Sequence, residues 1–155
     1  LLALAGEVEI ALWFHDAIYD PRAPDNEQRS ADWAAQGLTG AGVDAAAVAR
    51  VHALVMATRH AVEPEGEDQQ LLVDIDLAIL GAGRERFDEY EVEVREEYAW
   101  VPGPVFRHKR RQILAGFLAR GRIYSTPVFA QRFEAVARDN LARALAALKP
   151  WWRPW

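Results

Sequence analysis

Apolar residues recur along most of the chain every three or four positions, which is the spacing of amphipathic helices. Residues 1–19 are apolar on nearly all sides and predict a buried helix. Asp20-Pro21 should end this helix, because proline disfavours helical geometry in the residue before it. A shorter helix is expected over residues 25–36, and another over residues 45–60 with Asp44 as its N-cap.

The second half of the chain is more regularly amphipathic. Residues 69–81 predict a second buried helix, with a strand as the less favoured alternative, and further helices are expected over residues 87–101, 106–118 and 128–148. The alternation of strands and helices that marks a parallel sheet is absent. The sequence therefore predicts an all-α, single-domain bundle of about six or seven helices over residues 1–149, followed by a Trp/Pro-rich tail at residues 150–155.

Composition narrows the chemistry that the bundle can perform. The 155 residues carry a formal net charge of −5, so no surface for polymeric nucleic acid is indicated, although a nucleotide substrate stays open. There is no cysteine, which leaves imidazole and carboxylate as the strong metal ligands. No apolar run reaches the roughly 20 residues of a membrane span and no signal peptide is recognised, so a cytoplasmic protein is expected.

Adjacent His15 and Asp16 interrupt the first apolar run and are the leading candidate site. In a helix, the neighbours of His15 three and four residues away are apolar, so its imidazole should point inward beside a carboxylate that is costly to bury alone. On the helix predicted over residues 69–81, the same reasoning makes Asp76 the inward aspartate and Asp74 the outer one. A shared cation would compensate both the buried His15–Asp16 pair and the buried carboxylate of Asp76. His15, Asp16 and Asp76 are therefore predicted metal ligands.

The chain resembles the HD superfamily of metal-dependent phosphohydrolases, and more closely a bacterial group described as predicted members of it. The resemblance spans essentially the whole chain and is carried, in order, by the segments WFHDAIYDPRAPDNEQRSA, ATRH, DIDLAILG, YEVEVREEY and RQILAGFLARGRIY. It implies an HD-type helical bundle, with His15 and Asp16 as the HD pair and Asp76 as the last metal ligand. The family's first histidine precedes this pair, so a further segment N-terminal to Leu1 is expected to supply it.

Mixed imidazole and carboxylate ligation suits Mn, Fe, Co, Ni or Zn, with Mg less well suited. Glu27, one loop after the HD pair, is a candidate general base, and its alternative role is a favourable charge at a helix start. His60 is a candidate contact to substrate phosphate or to a second metal, against the alternative of a histidine at a helix C-terminus. His52 is expected to be a core histidine, and the basic stretch around His108 a solvated helix face.

The resemblance implies metal-dependent hydrolysis of a small phosphorylated substrate, either a phosphomonoester, a nucleotide or a cyclic nucleotide. The alternative is a non-catalytic helical binding or scaffold module that keeps the fold without the full ligand set. A homo-oligomer is compatible with either. The tail is a candidate packing latch, dimer contact or membrane-surface contact, because it brings three tryptophans together within residues 150–155.

Overall fold

The computed structural model describes residues 5–148, and within them every regular element is helical. A 3-10 helix at Leu77–Gly81 separates the fourth and fifth of seven α-helices, which are α1 (Ala5–Phe14), α2 (Asn26–Gly40), α3 (Ala45–Ala57), α4 (Gly66–Asp76), α5 (Arg84–Glu97), α6 (Gly103–Ala119) and α7 (Pro127–Ala147). The predicted all-α class and helix number are therefore confirmed for this part of the chain. The strand alternative for residues 69–81 is wrong.

The chain divides between Asp76 and Leu77 into two compact units. In the first unit, α1 packs against α2, α3 and α4, and α2 packs against α3. Its core is built from small and branched apolar side chains, namely Val8, Ala11, Ala31, Ala34, Val51, Leu54, Val55 and Leu72. The single-domain organisation over residues 1–149 stays a prediction, and the tail at 150–155 lies outside the described residues.

In the second unit, two side chains from later in the chain form hydrogen bonds with the backbone of the 3-10 helix and of the residue that follows it. The hydroxyl of buried Tyr124 donates to the carbonyl of Leu77 at 3.0 Å. The side-chain amide of Asn140, on α7, donates to the carbonyls of Leu80 at 3.0 Å and Ala82 at 2.9 Å. Because these bonds give buried carbonyls a partner, the chain can leave α-helical geometry here without losing hydrogen bonds.

The first helix ends at Phe14 rather than at residue 19, so the prediction of His15 and Asp16 within a helix is wrong. They form a turn directly after α1. Further along this turn, the backbone N–H of Ile18 donates to Ser30 Oγ at 3.0 Å, and Ser30 Oγ donates to the carbonyl of Ile18 at 3.2 Å. A side chain from α2 thus takes the place of the backbone partners that a continuing helix would supply. The periodicity of the sequence cannot predict such a contact.

Asn26 fixes the rest of the loop between α1 and α2. Its Oδ1 accepts from the backbone N–H of Asp20 at 3.0 Å, and its Nδ2 donates to the carbonyl of Asp20 at 2.8 Å. Asn26 and Ser30 are both buried on the first two turns of α2. The polar residues of the segment DNEQRSA therefore position the turn that contains His15 and Asp16.

Replacing Ser30 by alanine should destabilise the protein by about 1–3 kcal/mol, because it leaves two backbone groups of Ile18 without their side-chain partner. Urea unfolding followed by circular dichroism measures this change. Thr39→Ala, which removes an exposed hydroxyl from the same helix, is the matched control and should change stability much less. Equal effects of the two substitutions would contradict the role given to Ser30.

None of the helices within residues 5–148 combines the length with the apolar character that a membrane crossing requires.

Candidate functional site

Four of the five predicted site residues come from ends of helices in the first unit. His15 and Asp16 follow α1, Asp76 is the last residue of α4, and Glu27 lies in the first turn of α2. His60 lies just beyond the end of α3. Helix ends and turns can direct polar side chains to one place while the helices themselves keep an apolar core.

Two imidazoles lie against the carboxylate of Asp76, and Asp16 lies against one of them. The Nε2 atom of His15 lies 3.6 Å from Asp76 Oδ1 and 3.3 Å from Asp16 Oδ2. The Nε2 atom of His60 lies 3.0 Å from the other oxygen of Asp76, Oδ2. The structure therefore brings His15 close to both aspartates, and a second imidazole, that of His60, lies at the other oxygen of Asp76.

The burial of Asp16 and of Asp76 differs from what the sequence predicts. The Asp16 side chain is 64% exposed, because the turn after α1 carries it out of the core. Asp74 is fully buried, whereas the side chain of Asp76 is 21% exposed. The prediction that Asp76 is the more inward aspartate is thus wrong. Helix-neighbour counting fails there because α4 ends at Asp76 and the next turn is 3-10.

The tautomer of His15 follows from its second ring nitrogen. Nδ1 lies 2.7 Å from the backbone carbonyl oxygen of Leu12, and a carbonyl oxygen can only accept a hydrogen bond. The proton of neutral His15 is therefore on Nδ1, and Nε2 carries a lone pair. That lone pair lies on the side of the ring where Asp16 and Asp76 present their oxygens.

His60 does not belong to a helix end as predicted, since α3 ends at Ala57 with Thr58 as its C-cap. His60 has a φ of +54° and is the only non-glycine residue with positive φ between residues 5 and 148. This left-handed conformation turns the chain away from α3, and the side chain contacts Asp76. The contact joins residues distant in sequence, so no local pattern could have revealed it.

Glu27 and His52 were the other two residues considered from the sequence. Glu27 is half-buried, and within the described residues it makes no hydrogen bond or ion pair with His15, His60 or Asp76. His52 is not a core histidine: its side chain is half-exposed on α3, and its Nε2 lies 3.0 Å from Asp32 Oδ1 on α2. Gln28 donates to the same oxygen at 2.9 Å.

These contacts make the stability of the first unit sensitive to acid. The hydrogen bond from His52, and next that from Gln28, lowers the pKa of Asp32 below its ordinary value of 3.8. A lowered folded-state pKa contributes stability above the unfolded value and loses it as the pH falls through the folded one. The stability difference between wild type and Asp32→Asn should therefore shrink as the pH falls below 3.8.

Urea unfolding from pH 5.5 downwards, followed at intervals of about 0.5 unit, measures that difference. In a His52→Leu background the same comparison should depend much less on pH, because the largest cause of the shift is gone. An identical pH dependence in both backgrounds would contradict the assignment.

The basic stretch of α6 is partly structural rather than a solvated face. Arg110 is buried and forms an ion pair with Glu91 of α5, and Arg111 Nη1 donates to the carbonyl of Leu145 at 2.9 Å. His108 is exposed. The two arginines are therefore engaged in contacts within the second unit.

Within residues 5–148 no group of three or more His, Cys, Asp or Glu side chains is arranged so that it could hold a metal ion as it stands. Comparisons of the chain with protein-family models, with curated proteins and with solved structures find no match. Any proposal about function therefore rests on the fold and on the geometry around Asp76.

Proposed function

We propose that this chain contains the metal site of a hydrolase that cleaves phosphoester bonds in a small substrate, with His15, Asp16 and Asp76 as metal ligands. One observation carries the proposal. When His15 is neutral, its Nε2 lone pair faces carboxylate oxygens of both aspartates, and all of these atoms are then acceptors.

Acceptor atoms that face one another repel unless a proton or a cation lies between them. A shared divalent cation replaces that repulsion by three favourable bonds. The bond from His15 Nδ1 to the Leu12 carbonyl also supports this reading. Histidines that ligate a metal almost always donate their other ring N–H to a carbonyl or carboxylate, which fixes the tautomer and the ring orientation.

Two of the distances between donor atoms are compatible with a common ion. Metal bonds to imidazole nitrogen and carboxylate oxygen are about 2.0–2.2 Å long, so two ligands of one ion lie roughly 3.0–3.6 Å apart. The separations from His15 Nε2 are 3.3 Å to Asp16 Oδ2 and 3.6 Å to Asp76 Oδ1.

The donor set favours Mn, Fe, Co, Ni or Zn over Mg. When bound, such an ion would activate water and polarise a phosphoryl oxygen. The chain's own residues would then orient the reaction: His15 through its fixed tautomer, Glu27 as the candidate base that receives the water proton, and His60 as a candidate contact to the phosphate. The side chains of His15 and Asp76 are both partly exposed to solvent, so water can reach them.

The test is metal loading followed by a phosphatase assay. Protein stripped with a chelator is equilibrated separately with Mn²⁺, Fe²⁺, Co²⁺, Ni²⁺ and Zn²⁺, and bound metal is measured by elemental analysis. About one equivalent is expected for at least one ion, with phosphate release from p-nitrophenyl phosphate, nucleotides or cyclic nucleotides. His15→Ala should abolish both, whereas His108→Ala, which removes an exposed histidine, should change neither.

Two outcomes would overturn the proposal at different levels. Metal binding without phosphate release from any of these substrates would contradict the proposed hydrolase activity but would still support the metal site. If none of the five ions binds, both the metal site and the hydrolase activity are contradicted. That result would favour the alternative, a non-catalytic helical scaffold.

A further inference from the structure

The carboxylate of Asp76 lies between two imidazoles that contact it differently. His60 Nε2 is 3.0 Å from Oδ2, which is hydrogen-bonding distance, whereas His15 Nε2 is 3.6 Å from Oδ1, which is not. Because an ionised carboxylate only accepts, a hydrogen bond in the His60 pair must be donated by Nε2 of His60. When His15 is neutral, the two histidines therefore present opposite groups to one carboxylate, a donor at Oδ2 and a lone pair on the side of Oδ1.

The backbone at His60 supports a specific role for this side chain. Its left-handed conformation is strained for any residue with a Cβ atom, although histidine adopts it more often than most. Such strain persists where the surrounding structure holds it, and it is concentrated at functional positions. Here it lets the chain leave α3 immediately and present the imidazole to the last residue of α4.

We propose that His60 is a positioning residue that binds Oδ2 of Asp76 and thereby directs Oδ1 towards His15. This inference rests on the proposed metal site and deepens it. A carboxylate at a helix end can rotate about its side-chain bonds, and each rotation would carry Oδ1 away from the ion. A donor on Oδ2 removes that freedom before the metal arrives, so less conformational entropy is lost on binding.

Two variants separate this role from simple packing. His60→Gln keeps an N–H donor at about the position of Nε2, and His60→Leu has a similar volume without a donor. Both keep a Cβ in the same strained backbone conformation, so the difference between them reports the hydrogen bond. Cobalt titration followed by visible absorption gives affinity and stoichiometry for each variant.

We expect the glutamine variant to bind Co²⁺ within about threefold of wild type. The leucine variant should bind about tenfold more weakly or worse, with an unchanged number of ions. Wild-type affinity in the leucine variant would overturn the inference. Loss of one equivalent in both variants would also overturn it, because His60 would then be a ligand itself.

A second measurement distinguishes failure of this inference from failure of the proposed function. In metal-free protein, urea unfolding of His60→Leu, Asp76→Asn and the double variant should show coupling of about fivefold or more in the unfolding equilibrium constant. Coupling in a protein that binds no metal would support the contact and overturn the hydrolase proposal. Absence of coupling would overturn the positioning role whatever the metal result.

Discussion

In the proposed metal site, Asp76→Asn is expected to lower metal affinity by more than about 100-fold, which exceeds the usual cost of losing a residue that only supports a ligand. The substitution keeps the shape of the side chain and removes the charge that faces both His15 and His60. Phosphatase activity, which the proposed mechanism makes wholly dependent on the ion, should fall below detection. Elemental analysis and phosphate release measure the two effects.

Asp139→Asn is the matched control, since Asp139 is an exposed aspartate on α7 in the second unit. It should keep wild-type metal content and activity, and circular dichroism should show both variants folded. A folded Asp76→Asn protein that retains a full equivalent of metal would show that Asp76 is not a ligand.

The second large effect is expected at Gly81, at the end of the 3-10 helix. A Cβ atom there would lie 2.6 Å from the Cβ of Phe133 and 2.9 Å from the hydroxyl oxygen of Tyr124. The first of these atoms is attached directly to the backbone of α7 and cannot move aside by a change of rotamer. Gly81→Ala should therefore destabilise the protein by about 3 kcal/mol, the upper part of the range for overpacking.

Gly116→Ala is the matched control for this prediction. Gly116 lies within α6, and, apart from its chain neighbours and the backbone of its own helix, no atom lies within 4 Å of the position its Cβ would occupy. Because alanine favours the helix interior over glycine, this substitution should stabilise the protein by about 0.5–1 kcal/mol. Urea unfolding of the two variants should therefore give changes of opposite sign, and a destabilisation of equal size in both would contradict the close packing at Gly81.

The sequence was a good guide to the existence and type of the helices. Apolar periodicity predicted helices in the right places and number because it records which face each helix buries. A local signal also marked one boundary correctly. Asp44 accepts hydrogen bonds from the backbone N–H groups of Ala46 and Ala47 as the N-cap of α3.

The ends of other helices depended on contacts that are distant in sequence. The apolar pattern of residues 1–19 continues past Phe14, but α1 stops there because Ser30 and Asn26 bind the following backbone. Likewise, α4 gives way to the 3-10 helix where Tyr124 and Asn140 supply partners to its carbonyls. Periodicity describes one element at a time and contains no information about a hydrogen bond offered by another.

In the candidate site, too, some features could be predicted from the sequence and others could not. Residue type and position drew attention to His15, Asp16 and Asp76, and the structure brings donor atoms of these residues within 3.6 Å of His15 Nε2, while their role as metal ligands stays a prediction. By itself, then, the sequence determined that the chain is helical and where polar groups interrupt apolar faces, because both are local properties. Only the tertiary structure decided which aspartate is buried and that His60 reaches Asp76, because both depend on where separate helices end in space.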